Sequence, residues 1–296
     1  MSISKTKTTI KKQKIENPII NTIVHLLSYI LGFIYATPVI LVILFSFMNT
    51  EGIATNTLSF SNFTFEHYRS ILNNPNNYQP FVTSIVFSAL ASIVAVLFML
   101  LLARWVITNK DNKFVQIIEF IYYIPWLLPA LFIALGLIIG YAVPHPLIFG
   151  NSVIGALWPL PVAYMITMLP TTLPYIKSAY YSFDNNLKDA SRILGASSIR
   201  TFSKVVIPAL LLTALALIAL NFNGKLADYD LSAFLYHPNY PTLGIVIRLA
   251  ADPNANINAK AINLVYSVLL MIISTLIMYF LYGRGTKISE RQGGIQ

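Results

Sequence analysis

Residues 81–107 contain a single ionisable side chain, Arg104. An apolar run needs roughly 20 helical residues to cross the ~30 Å hydrocarbon core of a bilayer. This one is long enough. Comparable runs occupy residues 23–47, 117–140, 153–169, 205–222 and 262–282. A helix satisfies its own backbone hydrogen bonds, whereas an open strand in lipid cannot. The runs therefore predict an all-α polytopic membrane protein with six transmembrane helices. Composition agrees: the chain is 56% hydrophobic and only 10% charged, against about 25% charged in soluble domains. A water-soluble globule and an intrinsically disordered chain are both excluded.

The fourth run is interrupted or flanked by Pro159, Pro161, Pro170 and Pro174. Proline removes a backbone donor and kinks a helix, so this run reads as a kinked span or a re-entrant segment. The first run continues through Pro38 without a small-residue cleavage site, and is read as a retained span rather than a signal peptide.

The net charge is +9, from 20 Lys and Arg against 11 Asp and Glu. The basic residues lie between apolar runs, which points to membrane orientation and anionic lipid rather than nucleic acid. Lys5, Lys7, Lys11, Lys12 and Lys14 precede the first run. Arg104 stands at the end of the second, and Lys110 and Lys113 follow it. Lys177, Lys188, Arg192, Arg200 and Lys204 follow the fourth, and Arg284, Lys287 and Arg291 follow the sixth. The other side holds only Arg69, Lys225, Arg248 and Lys260. This alternation predicts six spans in the cytoplasmic membrane with both termini cytoplasmic. A five-span arrangement breaks it. The chain divides into a basic cytoplasmic tail (1–22), a first span with its external loop (23–80), a core domain (81–283) and a cytoplasmic tail (284–296).

The longest cytoplasmic connection, residues 171–204, is the most informative. Asp184 to Leu194 is predicted to be a short helix capped by Ser182 or Asp184. Leu187, Ala190, Ile193 and Leu194 fall on one face. Gly195 ends it in the left-handed conformation that side chains disfavour. A second helix begins near Ser197 or Ser198 and enters the fifth span. An amphipathic helix projecting from a membrane domain has an apolar stripe to bury, and a groove on a partner can bury it.

Asp189-Ala190-Ser191, Gly195, Val205, Ile207 and Pro208 stand at the spacing of a known motif. They resemble the EAA loop of inner-membrane permeases of binding-protein-dependent ABC importers: Glu-Ala-Ala, three residues, Gly, nine residues, aliphatic-any-aliphatic, Pro. Asp replaces Glu and Ser replaces the second Ala; the spacing fits without gaps. The resemblance covers about residues 81–282 and implies the type I permease architecture. It also implies that the short helix is a coupling helix seated in a cleft of a cytoplasmic ATPase subunit. Leu187, Asp189, Ala190, Ser191, Arg192, Leu194, Gly195 and Pro208 would form the coupling loop. Asp189 would be its polar contact, Ala190 the point of close approach, Gly195 the hinge, and Arg192 a partner for an acidic group. The implied assembly has two ATPase subunits, a second permease subunit as homodimer or heterodimer, and an extracytoplasmic solute-binding protein. ATP and Mg would bind the ATPase, and this chain would carry no cofactor.

No Gly-x-x-x-x-Gly-Lys-Ser/Thr phosphate loop is present, so ATP hydrolysis is expected elsewhere. There is no His-Glu-x-x-His and no Gly-x-Ser-x-Gly, and the chain has no cysteine. His25, His67, His145 and His237 have no metal-ligand spacing. Arg104 and Glu119 lie at predicted span ends. A proton-coupled carrier or a channel would instead be expected to place ionisable groups or a filter mid-span.

The connection 221–261 carries Asp228, Tyr229, Asp230 and Tyr236, then a run at 245–250 too short to cross the bilayer. Asp228, Asp230 and Tyr236 either line the pathway or meet the binding protein; a packed external cap is the alternative. Asp230-Leu231-Ser232-Ala233 looks like a Glu-Leu-Ser-Ala segment of the ferric-iron branch. Thiamine, polyamine and phosphonate permeases have similar segments. Iron is therefore the first expected substrate and these are the alternatives.

Overall fold

The computed structural model describes residues 17–283. The predicted tail 284–296 and most of the tail 1–22 lie outside the described residues. The described part is helical; its only β pairings are isolated bridges, Met48 with Phe63 and His237 with Tyr240.

Helix α1 runs Pro18–Ser46, starting before the predicted boundary at residue 23. Asn17 caps it, its side chain accepting from Ile19 N at 3.0 Å. Pro38 lies inside α1 without ending it. The apolar side chains of α1 are exposed almost along its whole length. Its main neighbour is the last long helix. Such a surface suits lipid or another subunit, and would be a liability in water. Two short helices follow, α2 (Thr50–Thr55) and α3 (Glu66–Asn73).

Helix α4, Pro75–Thr108, forms the centre. Its 34 residues span about 51 Å. Ser84, Ser88, Ala91, Ser92, Ala95 and Ala103 are buried along it. Small residues let helix backbones approach closely where lipid offers no hydrophobic drive between helices. Two later helices pack there, α7 (Pro159–Tyr181) and α10 (Ile207–Leu226). One core joins Met99, Leu173, Ile176, Val206 and Leu210; a second joins Ala95, Ala134, Leu160, Tyr164 and Leu231.

The predicted third span is not one straight helix. It is α5 (Lys113–Leu127) and α6 (Ala130–Tyr141), bent by 108°. The break falls at Leu128, whose extended backbone (φ −101°, ψ 131°) precedes Pro129. Proline clashes with a preceding residue in the helical region. The predicted fourth span is displaced as well. Residues 153–158 are not helical, and α7 continues to Tyr181, which shortens the predicted loop 171–204 to residues after 181. Lys177 consequently lies within α7, paired with Glu119 of α5, rather than in a loop.

Among the described residues, four helical segments are long and apolar enough to cross a membrane: α1, α4, the continuous stretch Ser198–Leu226 and Ile257–Phe280. The bent α5–α6 pair makes five if it counts as one span. Helix α7 is long enough, but its prolines and tyrosines dilute its apolarity. It is also the most enclosed of the set, with Leu160, Tyr164, Leu173 and Ile176 buried. Lipid contact sets apolarity, so a helix wrapped by its neighbours tolerates that composition.

Candidate functional site

The predicted amphipathic helix is present as α8, Asn185–Ile193. Asp184 caps it, accepting from Asn186 N at 2.9 Å. Of the two expected caps, Asp184 is the one used: Ser182 instead donates to the Ser178 carbonyl at 3.0 Å, closing α7. Gly195 follows with φ +78°. Its amide donates to the Arg192 carbonyl at 2.9 Å and the Ala196 amide to the Ser191 carbonyl at 3.1 Å, which closes the helix end. Helix α9 (Ser198–Thr201) then starts at Ser197, whose hydroxyl accepts from Arg200 N at 3.3 Å.

Residues 198–226 are helical throughout, with a π-helical turn at Phe202–Val206 between α9 and α10. Pro208 accounts for that turn. It offers no amide to the Lys204 carbonyl and its ring crowds that position. The widened turn lets Ile207 N–H donate to the Phe202 carbonyl instead.

At about 100° per residue, α8 divides into two opposed faces. Ala190, Ile193 and Leu194 are exposed, Ile193 and Leu194 at 85% and 87%, while half-exposed Leu187 lines a hollow with Tyr175 of α7 and Leu210 of α10. Lys188 and Arg192, one turn apart, face back toward the bundle. They line a cavity of about 220 Å³ with Arg104 of α4, Tyr180, Thr201 and Phe202. Asp189 is exposed beside the apolar face. Ser191 faces α9, its hydroxyl 3.0 Å from that of Thr201.

The opposite end of the bundle gathers the other candidates. Asp228 is almost enclosed: its side chain is 8% exposed. Oδ1 accepts from Lys225 Nζ at 3.1 Å. Oδ2 accepts from Leu231 N at 3.1 Å and Ser232 N at 3.4 Å, holding the start of α11 (Ser232–Leu235). This carboxylate organises its loop. Asp230 and Tyr236 are exposed, as is Tyr229, whose ring lies 6.0 Å from the Arg248 guanidinium. The short apolar run is α12, Leu243–Ala250, about 12 Å long and too short to cross.

Sequence reasoning missed two features here. One is a buried pair between α7 and α10, where Asn221 Nδ2 donates to Thr172 Oγ1 at 2.9 Å. The other is the contact of Gly244 with the Asp228 backbone. Neither has a local sequence signal, because each joins segments far apart in the chain. Among the described residues no group of His, Asp and Glu could hold a metal ion.

Comparison with known proteins agrees with this architecture. Residues 101–291 match the family described as binding-protein-dependent transport system inner membrane component. The probable ABC transporter permease protein y4fN of Sinorhizobium fredii is 34% identical over 274 residues, 92% of this chain. The chain spans 47% of that relative's length. The spermidine/putrescine transport system permease protein PotC of Haemophilus influenzae is 25% identical, covering 74% of this chain and 84% of its own. In fold, the chain resembles a bacterial ABC transporter involved in the import of alginate (TM-score 0.68, 13% identity, 93% of this chain, 99% of that one). It also resembles the MetNI methionine ABC transporter (TM-score 0.53, 20% identity, 72% and 93%). The chain belongs to the binding-protein-dependent transport system inner membrane component family.

The left-handed residue at Gly195 yields a direct prediction. A left-handed conformation costs a non-glycine residue about 1–2 kcal/mol, and a β-branched residue more. No atom lies within 4 Å of a Cβ built at Gly195, so the cost is backbone strain alone. Gly195→Val is expected to cut uptake about tenfold with membrane insertion intact. Gly195→Asn, which tolerates this conformation, should keep most of it. Normal uptake by the valine variant would show that the left-handed conformation at residue 195 is dispensable.

Proposed function

We propose that this chain moves a solute, delivered by an extracytoplasmic binding protein, across the cytoplasmic membrane, driven by ATP hydrolysis in a separate subunit. The carrying observation is α8: an amphipathic helix held by Asp184 and Gly195 at the end of the bundle with its apolar face uncovered. That face seats in a cleft of an ATPase subunit, with Ala190 at the closest approach and Asp189 as the polar contact. Two such ATPases bind ATP and Mg, and a second permease subunit, identical or not, completes the pathway. Closure of the ATPases drives α8 inward and rocks the membrane helices between inward-facing and outward-facing arrangements. Helix α7 serves as the sixth span, which returns both termini to the cytoplasm and keeps the basic connections on one side.

The absence of cysteine from the chain makes docking directly testable. Cysteine at Leu187 or Ala190, paired with cysteine in the cleft of the co-assembled ATPase, is expected to crosslink under oxidation. An assembled complex in which no α8 position crosslinks would sink the assignment.

The transported solute is inferred to be cationic. Asp230 is an exposed carboxylate on a connection that also exposes Tyr229 and Tyr236, and carboxylates and ring faces suit cation binding. Ferric iron, the substrate of the branch that Asp230-Leu231-Ser232-Ala233 resembles, and polyamines, named for the PotC relative, both belong to this class. Competition between labelled spermidine and ferric iron for uptake separates them. Uptake of an anionic phosphonate in preference to both would overturn the class.

A further inference from the structure

We propose that the connection between α1 and α4 is an interfacial anchor. Its exposed aromatic and aliphatic side chains enter the bilayer surface, and Arg69 takes a phospholipid phosphate there. This surface is at the end of the bundle away from α8: α4 begins at Pro75, directly after the connection, and reaches the α8 cavity only at Arg104. The anchor requires α1 to span the membrane and is independent of what docks on α8.

The depth of the connection follows from how it is tied to α1. The 29 residues of α1 are about 43 Å long, which matches the roughly 40–45 Å of a bilayer with its headgroup regions. The last turn of α1 therefore stands in the interfacial layer. The chain then doubles back. Asn49 N–H donates to the Asn62 carbonyl and Thr64 N–H to the Phe47 carbonyl, both at 2.7 Å, around the Met48–Phe63 bridge. Tyr68 of α3 returns to the level of Ser46 in the last turn of α1, their hydroxyls 2.8 Å apart. The Phe47 ring stacks on Tyr68 at 5.0 Å and meets Phe65 edge-on at 5.4 Å. Helix α3 thus lies beside the end of a span, at the same depth.

Helix α3 has an inner and an outer side. His67 and Ile71, one turn apart, are buried, Ile71 in a core with Phe81 of α4 and Val265 of the helix Ile257–Phe280. Phe65, Arg69 and Leu72, at i, i+4 and i+7, share the other side. Phe65 and Leu72 are 65% and 76% exposed, and Arg69 is exposed between them. Phe60 is 95% exposed and stacks on Phe63 at 5.8 Å. From Phe47 to Phe65 the only ionisable side chain is Glu51; Glu66 borders the outer strip of α3. Large apolar side chains gathered in the open are a liability in water. At a membrane surface they are what an amphipathic helix sinks roughly 5–10 Å into the boundary of headgroups and acyl chains. An arginine between two apolar side chains lays its stem along them and holds its planar fork at the level of the phosphates. The patch adjoins the exposed apolar surface of α1, and this continuity with a span assigns it to lipid.

The chain has no cysteine, so a nitroxide spin label can be placed at one position at a time in the full chain in phospholipid nanodiscs. Phe60→Cys and Leu72→Cys carry the label into the patch. Leu27→Cys, exposed on α1, marks lipid, and Asn254→Cys, exposed on the loop after α12, marks water. Collisions with oxygen, which concentrates in lipid, are compared with collisions with a water-soluble nickel chelate. Oxygen should exceed nickel at residues 60 and 72, as at 27, with a depth of roughly 5–10 Å; nickel should exceed oxygen at 254. Arg69→Gln should lower the oxygen-to-nickel ratio at residue 72 about fivefold, as loss of one basic contact with the membrane surface implies. Arg69→Lys should hold the ratio. The substituted side chains are exposed, so the core is left intact, and monodisperse elution checks the fold.

Nickel exceeding oxygen at residue 60 or 72 would put the patch in water and overturn the anchor. Shielding of either label from both reagents would mean that protein covers the patch, and overturns it too; dipolar broadening between labels would then identify the cover as a second copy of this chain. An unchanged ratio in Arg69→Gln would overturn the phosphate contact. Crosslinking at Leu187 reads the docking of α8 separately, so failure of one reading is distinguishable from failure of the other.

Discussion

Gly244→Ala should yield a chain that no longer transports and that melts well below the wild type. A Cβ at Gly244 would sit 2.1 Å from the Asp228 carbonyl oxygen, 2.5 Å from its carbon and 3.0 Å from the Ala227 oxygen. All three are backbone atoms, so no side chain can swing aside. Movement of α12 would break the 2.8 Å bond by which Leu243 N–H donates to buried Ser84 Oγ. Movement of the other partner would break the bonds holding Asp228 to Lys225, Leu231 and Ser232. Overpacking typically costs 1–3 kcal/mol, occasionally more, and two anchored backbones put this site at about 3 kcal/mol or above. Thermal unfolding of the detergent-purified variant measures the loss. An unshifted melting curve would mean that the contact yields freely.

The second large effect concerns Glu119 and Lys177, which join α5 to α7 with side chains only 20% and 21% exposed. Breaking such a pair leaves one charge without its counter-ion in a poorly solvated place, which costs on the order of 3–5 kcal/mol. Glu119→Gln and Lys177→Gln are each expected to destabilise the chain by about 3 kcal/mol. The double variant, carrying no charge, should recover most of that. A double-mutant cycle reads the coupling. Additive losses would show that the two side chains act independently.

The long helices were legible because lipid imposes one rule over twenty residues at a time. Residues 81–107 and 262–282 could hardly be anything else. Helix α8 and its flanks were legible for a different reason. Asp184, Gly195 and Pro208 each do local backbone work that depends only on residues within a turn. The bend at Leu128 was missed although Pro125 and Pro129 stand in the sequence, because a proline inside an apolar run tells of a kink and not of its angle. The placement of α7 was missed because its boundaries follow from burial against α4 rather than from its own hydropathy. The two sides of α8 were only half visible: spacing identified the apolar stripe, but the cavity on the other side is completed by Arg104, more than eighty residues away.

The unbroken run of helix from Ser198 to Leu226 has a mechanical meaning. Its 29 residues form a rod about 43 Å long, rooted beside Gly195 and ending two residues before Asp228. A tilt of about 10° at the root sweeps the far tip through about 7 Å, given the helical rise. The π-helical turn sits close to the root, where a small change in winding swings the tip furthest. In the proposed coupling, a push on α8 would reach the Asp228 loop through this single rod, with no need for a relay of side chains through the bilayer.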